Sequence, residues 1–353
     1  MNKRRIYGRV ATLAFFILLV AVATAGCGGQ ETSGPQAVSG AEPAAASSPQ
    51  PEETSKSNDG TVIRIGIQGK SGIFNYAQET KWFERAFEPD GVKVEWVEFT
   101  SGPPHFEAIA SNRLDFGWVG GTPVIAGQTG GIDFKAIAVV DDGKSNGIVV
   151  PKGSAIKKLE DLKGKTVAVA KGSSAYNFLF QALSKAGLTG DDIRMIQLQP
   201  DEARAAFDTG GVDAWAIWES YLTTAVIQSE ATVLARGSDL GIVAPSFLIA
   251  RTAFGQEHAD LTVRFLEAYR DLNQYIKDHL DEVAETIATS QGLDLTIIRP
   301  VLQQTPFLFS PITPDYAKAH QAQADFLFKA GAIKKQLDTS VVIDNSFIER
   351  LQP

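Results

Sequence analysis

The stretch TVAVAKGSSAYNFLFQALSKAGL, residues 166–188, decides how this chain folds. Its first five residues read as a buried strand. Lys171, Gly172, Ser173 and Ser174 break that pattern, and Phe178, Leu179, Ala182 and Leu183 then recur at helical spacing. Gly187 stands where a helix C-terminal cap belongs. Strand, Gly-Ser-Ser turn and helix make one unit of a parallel sheet, with the helix opening above the carboxyl edge of its strand. The first N–H groups of that helix and two hydroxyls face whatever lies above the sheet, which is the chemistry of an anion site. Simple N-capping explains one of the two hydroxyls, so capping and an external anion stand as parallel readings.

The same alternation runs toward the N-terminus. VIRIGI (62–67) reads as a strand ended by Gln68 and Gly69, and Phe74, Trp82, Phe83 and Phe87 then mark an amphipathic helical stretch. VKVEWVEF (92–99) alternates like a second strand, after which Pro103 opens a helix expected to reach Asn112. DFGWV (115–119) is a third strand, closed by Gly120 and Gly121, with Thr122 read as the N-cap of the next helix and Pro123 as its first residue. The spacing predicts α/β lobes with largely parallel sheets.

Residues 106–120 (FEAIASNRLDFGWVG) share a layout with residues 204–218 (RAAFDTGGVDAWAIW): an Ala-rich helix end, a turn, then Asp115 or Asp213 opening an apolar strand. The two aspartates lie 98 residues apart, longer than a solenoid repeat, so the chain is read as two related lobes. GIVVP (147–151) and SFLIA (246–250) are β-like runs expected to cross between lobes and form a two-stranded hinge. That places lobe 1 at 61–146 plus 247–353 and lobe 2 at 147–246. The aromatics of the helical C-terminal part, at 261–276 and 317–328, are read as core.

Residues 1–60 belong to neither lobe. Lys3, Arg4, Arg5 and Arg9 precede an apolar run from Val10 to Ala25, too short for a membrane span and fitted to an export signal over 1–26. Cys27 follows Ala25 and Gly26, an ending that resembles the lipobox of bacterial lipoproteins, with Thr24 where that motif usually has Leu. Lipidation at Cys27 is the expected outcome, against an uncleaved anchor or a secreted protein with an incidental thiol. Residues 27–60, rich in Gly, Pro, Ser, Ala and Glu, form a tether that cannot bury enough apolar surface to order itself.

Composition narrows the function. One cysteine in 353 residues excludes an intrachain disulfide and a Cys-rich zinc module. The net charge is −8, and without residues 1–26 it becomes −12, from 29 basic and 41 acidic residues; this argues against a nucleic-acid binder. The four histidines are scattered, and no HExxH, CxxC or EF-hand spacing exists, so neither a metal nor a cofactor is expected. Gly143-Lys144-Ser145-Asn146-Gly147 matches the GxSxG string of a nucleophile elbow. The elbow needs a helix after it, and a strand-like run follows instead. Gly69-Lys70-Ser71 matches the end of a phosphate-binding loop, but Arg64 occupies the place of its first Gly. No nucleophile, base and orienting group can be named together, so catalysis is not expected.

DAWAIWESY (213–221) places Trp215, Trp218, Glu219 and Tyr221 just after an apolar strand. Period-two geometry keeps Trp215 and Trp218 off the same side of one strand, and a turn after Ile217 frees Trp218 for a cleft. Glu219 is read either as meeting a cationic group of a ligand or as pairing with a surface base such as Arg204.

The segments SAIKKLEDLKGKTVAVAKGSS, KGSSAYNFLFQALSKAGL and PDEARAAFDTGGVDAWAIWESY closely resemble the aliphatic-sulfonate-binding proteins of ABC importers, with taurine and nitrate binders as more distant relatives. The resemblance covers roughly residues 61–340. It implies an α/β type II periplasmic-binding-protein fold, delivery of ligand to a membrane permease, and no catalysis. It also implies that Ser173, Ser174, Trp215, Trp218 and Glu219 belong to the pocket-forming segments and that Gly120, Gly121 and Thr122 match a loop on the opposite lobe. Gln68, at the end of the first strand, completes the candidate set. The expected ligand is a small organic anion, a sulfonate first; nitrate, bicarbonate, taurine or a vitamin-precursor pyrimidine are the alternatives, and an extracytoplasmic sulfonate or ester enzyme the distant one. Gly121-Thr122-Pro123 departs from the family, where an acidic residue commonly precedes the Pro.

Overall fold

The structure is a computed structural model and describes residues 60–351; the export signal, Cys27 and nearly all of the tether lie outside the described residues. Ten strands run in chain order as β1 (Val62–Gln68), β2 (Lys93–Phe99), β3 (Phe116–Gly120), β4 (Phe134–Asp141), β5 (Gly147–Val150), β6 (Thr166–Val169), β7 (Arg194–Gln197), β8 (Ala214–Ile217), β9 (Thr232–Arg236) and β10 (Ser246–Arg251). They form two five-stranded sheets with orders β2-β1-β3-β10-β4 and β7-β6-β8-β5-β9. In each sheet three strands are parallel neighbours, and a fourth, β10 in the first sheet and β5 in the second, runs antiparallel beside them. The two sheets therefore share one topology, traced twice.

Asp115 and Asp213 explain why the sequence repeats where it does. Asp115 Oδ2 accepts the Arg64 N–H at 2.9 Å while its own N–H donates to the Arg64 carbonyl at 2.9 Å. Asp213 does the same with Thr166, at 2.7 Å and 2.8 Å. Each carboxylate thus fixes the register of a central strand against its parallel neighbour, β3 on β1 and β8 on β6. Asp115 is fully buried and also bonds Arg251 at 2.7 Å, whereas Asp213 is exposed.

Both faces of each sheet are covered, as parallel sheets require. In β8 the side chains alternate: Ala214 and Ala216 join one core cluster with Phe178 and Leu179, while Trp215 and Ile217 join another with Phe207 and Leu222. In the first sheet, Phe116 packs on Phe265 at 4.1 Å between ring centres, and Phe106 meets Phe134 on the opposite face at 4.7 Å.

The β-like runs expected to cross between lobes do not cross. β5 pairs only with β8 and β9, and β10 only with β3 and β4. The passage is made by residues 142–146 and 237–245, which hydrogen-bond to one another: Gly237 N–H to the Asn146 carbonyl (2.9 Å), Ser238 N–H to that of Lys144 (3.0 Å) and Ala244 N–H to that of Asp142 (2.8 Å). Gly143, at φ 72°, admits this approach; a Cβ there would lie 2.0 Å from the Ala244 carbonyl oxygen. The GxSxG string is this connector. Among the described residues no helix is long and apolar enough to cross a membrane.

Candidate functional site

Gln68, Gly120, Asp141, Ser173, Ser174 and Trp218 stand at or just beyond the carboxyl ends of β1, β3, β4, β6 and β8, and all of them line one cavity of about 150 Å³. Ligands of open α/β sheets bind at such strand ends, where helices begin. Both sheets contribute, so the cavity lies between the two halves.

Two helix starts meet over it. The helix Ser174–Lys185 is capped by Ser173, whose Oγ accepts the Tyr176 N–H at 3.2 Å and donates to the Ala170 carbonyl at 2.7 Å. Ser173 is 1% exposed and its hydroxyl is used twice inside the protein, so it has no donor left for a ligand. Ser174, the first helical residue, lines the cavity, and with the Tyr176 N–H taken by Ser173 the N–H groups of Ser174 and Ala175 are the ones left without helical partners. Opposite it, the helix Gly121–Thr129 has Gly120 as N-cap, with no side chain bonded to its first turn. A Cβ at Gly120 would lie 2.9 Å from Ser174 Cβ, so the two helix starts approach to contact only because Gly120 has no side chain. Thr100 Oγ1 donates to Gln199 Oε1 at 3.3 Å, a hydrogen bond between the halves.

The expected Thr122 N-cap is corrected to Gly120. Thr122 is the second helical residue, 3% exposed, its Oγ1 without a hydrogen-bond partner, and it lies outside the cavity lining, as does Gly121, which packs against Gln323, Pro245 and His320. Trp215 is also outside: it is fully buried in the core of the second sheet beside Phe207, at 6.0 Å between ring centres. β8 ends at Ile217, and Ser220 takes a left-handed turn at φ 69° that brings Trp218 and Glu219 to the cavity. Trp218 is propped edge-on by Tyr221 at 5.8 Å. Glu219 pairs with Arg236 at 3.3 Å, while Arg204 is bonded to Asp208 instead.

The remaining wall was not legible in the sequence. Trp118 and Phe74, at 6.5 Å and nearly perpendicular, form an aromatic floor. Gln68 Nε2 donates to the Trp118 carbonyl at 2.7 Å, and Asn75 ties the loop before its helix by bonds to Gly72 N–H (2.8 Å) and the Gly69 carbonyl (3.1 Å). Asp141 and Asn146 enter from the first crossing. Burial, with the carboxylates of Asp142 and Glu219 nearby, pushes the Asp141 carboxyl up to about 6, against the opposing pull of the Gly143 N–H. No Lys or Arg lines the cavity. Among the described residues no group of three or more His, Cys, Asp or Glu could hold a metal ion.

Two α/β halves joined by paired crossings and closed over donor-rich strand ends define a type II periplasmic solute-binding protein. The comparisons agree. Residues 70–283 match the family described as NMT1/THI5 like. A putative aliphatic sulfonates-binding protein of Bacillus subtilis is 45% identical over 82% of this chain and 87% of its own length. The alkanesulfonate-binding protein of Xanthomonas axonopodis pv. citri, solved bound to MOPS, superposes with a TM-score of 0.77 at 30% identity, over 81% of this chain and 99% of that one. The periplasmic aliphatic sulphonate binding protein of Escherichia coli gives 0.71 at 32%, over 80% and 92%. The chain belongs to the NMT1/THI5-like family, within which it groups with these binding proteins and not with enzymes.

Proposed function

We propose that this protein is the extracytoplasmic solute-binding component of an ABC importer, and that it captures a small aliphatic sulfonate between its lobes for delivery to the permease. The observation that carries the reading is the apposition of two helix starts, at Ser174 and Gly120, over a cavity with aromatic walls and no basic side chain. A tetrahedral sulfonate head presents three oxygens to such neutral donors, and dipoles oriented in a dehydrated site hold an anion without a formal countercharge. Trp218, Trp118 and Phe74 then cover the carbon chain. Nitrate and bicarbonate have no tail for that wall, which favours an organic anion. The relatives bearing sulfonate-binding names support the same assignment.

Attachment to the membrane through lipid on Cys27 belongs to this proposal and rests on the export signal and the Ala25-Gly26-Cys27 sequence. One preparation tests both parts. Mass spectrometry of membrane-extracted protein should show acyl mass that Cys27→Ala abolishes, and native spectra with a short alkanesulfonate should show a one-to-one complex with the ligand chemically intact. Unmodified Cys27 removes the anchor; absence of a complex, or release of sulfite, removes the binding role.

A further inference from the structure

An anion binder whose cavity holds two carboxylates and no base poses an electrostatic problem. Like charge facing a bound anion in a dehydrated cleft costs free energy that neutral donors must offset. Glu219 does not create that problem, because Arg236 pairs with one oxygen at 3.3 Å and the Ser220 N–H bonds the other at 3.1 Å. Asp141 does. Among the described residues it has no ion-pair partner; its Oδ1 is held by the Gly143 N–H, and Lys144, whose charge acts on it, is bonded to Asp142.

Asn146 supplies an independent observation. It is 3% exposed, lines the cavity, and donates Nδ2 to the Gly143 carbonyl at 2.8 Å. That bond fixes which end of the amide is nitrogen and leaves Oδ1, an acceptor, buried without a partner. Buried acceptors are rarely left so in native proteins. Asp141 and Asn146 both bond to Gly143, from its two sides, so the charged acceptor and the orphaned one flank the same residue at the head of the crossing.

Resting on the sulfonate reading, we propose that Asp141 and Asn146 form a cation-accepting pole of the cavity, which selects sulfonates carrying an ammonium group a short carbon chain away from the sulfur. An ammonium brings three donors and the positive charge that the cavity lacks. Glu219, paired with Arg236, borders the pole. The distance fits. Gly120 is in register with Ser246, and Ser246 with Asp141, across three adjacent strands, so the helix-start pole and the Asp141 backbone stand two strand spacings apart, about 10 Å. Side chains reaching in from both ends leave room for a zwitterion of a few carbons.

The test is calorimetric titration of the full chain with 2-aminoethanesulfonate and propane-1-sulfonate, which differ by an ammonium in place of a methyl group. Wild type should bind the aminosulfonate tighter by about tenfold or more, the range of a charge-assisted hydrogen bond. Asp141→Asn keeps an oxygen for the Gly143 N–H and should reduce that ratio by about tenfold. Equal or tighter binding of propane-1-sulfonate by wild type, or a preference that survives Asp141→Asn, overturns the cation pole and leaves sulfonate capture intact. Failure of wild type to bind either compound overturns sulfonate capture, and the pole with it.

Discussion

At the start of the helix Ser174–Lys185, two adjacent serines have separate duties that substitution can divide. The Ser173 hydroxyl is consumed by the Tyr176 N–H and the Ala170 carbonyl, so Ser173→Ala should lower stability by about 1 kcal/mol, the usual value of an N-cap. Ser174 makes no such bond and lines the cavity, so Ser174→Ala should leave the melting temperature nearly unchanged. It should instead weaken sulfonate binding roughly ten- to a hundredfold, by removing a donor from a dehydrated site. Chemical denaturation and titration of both variants check this, and a reversed pattern would exchange the roles. The Gly-Ser-Ser motif marked in the sequence where a helix opens beyond a strand end. Which hydroxyl was free depended on a rotamer, and a rotamer is not written in residue order. Trp215 and Trp218 divided similarly: inside a strand buried on both faces Trp215 had no way to reach a cleft, whereas Trp218, past the strand end, did.

At the scale of elements, the alternation of strands and helices was readable throughout, because each strand is a short apolar run bounded by Gly or a polar turn. The repeated Asp was readable too, but its purpose was not: the reciprocal bonds to Arg64 and Thr166 join residues 51 and 47 positions apart. Burial predicts different costs for the two copies. Asp115→Ala leaves Arg251 without its buried partner and should destabilise by about 3–5 kcal/mol, whereas Asp213→Ala, at an exposed site, should cost about 1 kcal/mol. Urea unfolding of the two variants measures the difference, and equal losses would deny Asp115 its special burial. The crossings were misplaced by a few residues for a related reason. β5 and β10 look like any other strand, and only pairing shows that each remains in one sheet while residues 142–146 and 237–245 make the passage. Asp141 and Asn146 escaped notice because their connector carried a string resembling a nucleophile elbow.

At the scale of the whole molecule, function depends on how closely two halves approach. The contact of Gly120 with Ser174 is one such limit, since a methyl at Gly120 would meet Ser174 Cβ at 2.9 Å. Gly120→Ala should therefore oppose closure and weaken every ligand alike, by about tenfold or more, while the ligand-free protein melts normally; tails of different length should lose equally. Trp218→Ala makes the useful contrast, since removing wall area should penalise longer tails most. A loss confined to long tails in Gly120→Ala would place that residue on the tail wall and not at the closing contact.

The central claim is that neutral donors at two apposed helix starts recognise a three-oxygen head. Calorimetric titration of the wild-type protein with propane-1-sulfonate and with butyrate, matched in carbon chain and charge, tests it most directly. The sulfonate should bind one-to-one and at least about tenfold tighter, because a planar two-oxygen head leaves a donor unpaired in a dehydrated site. Butyrate binding as tightly as the sulfonate, or tighter, would contradict the account.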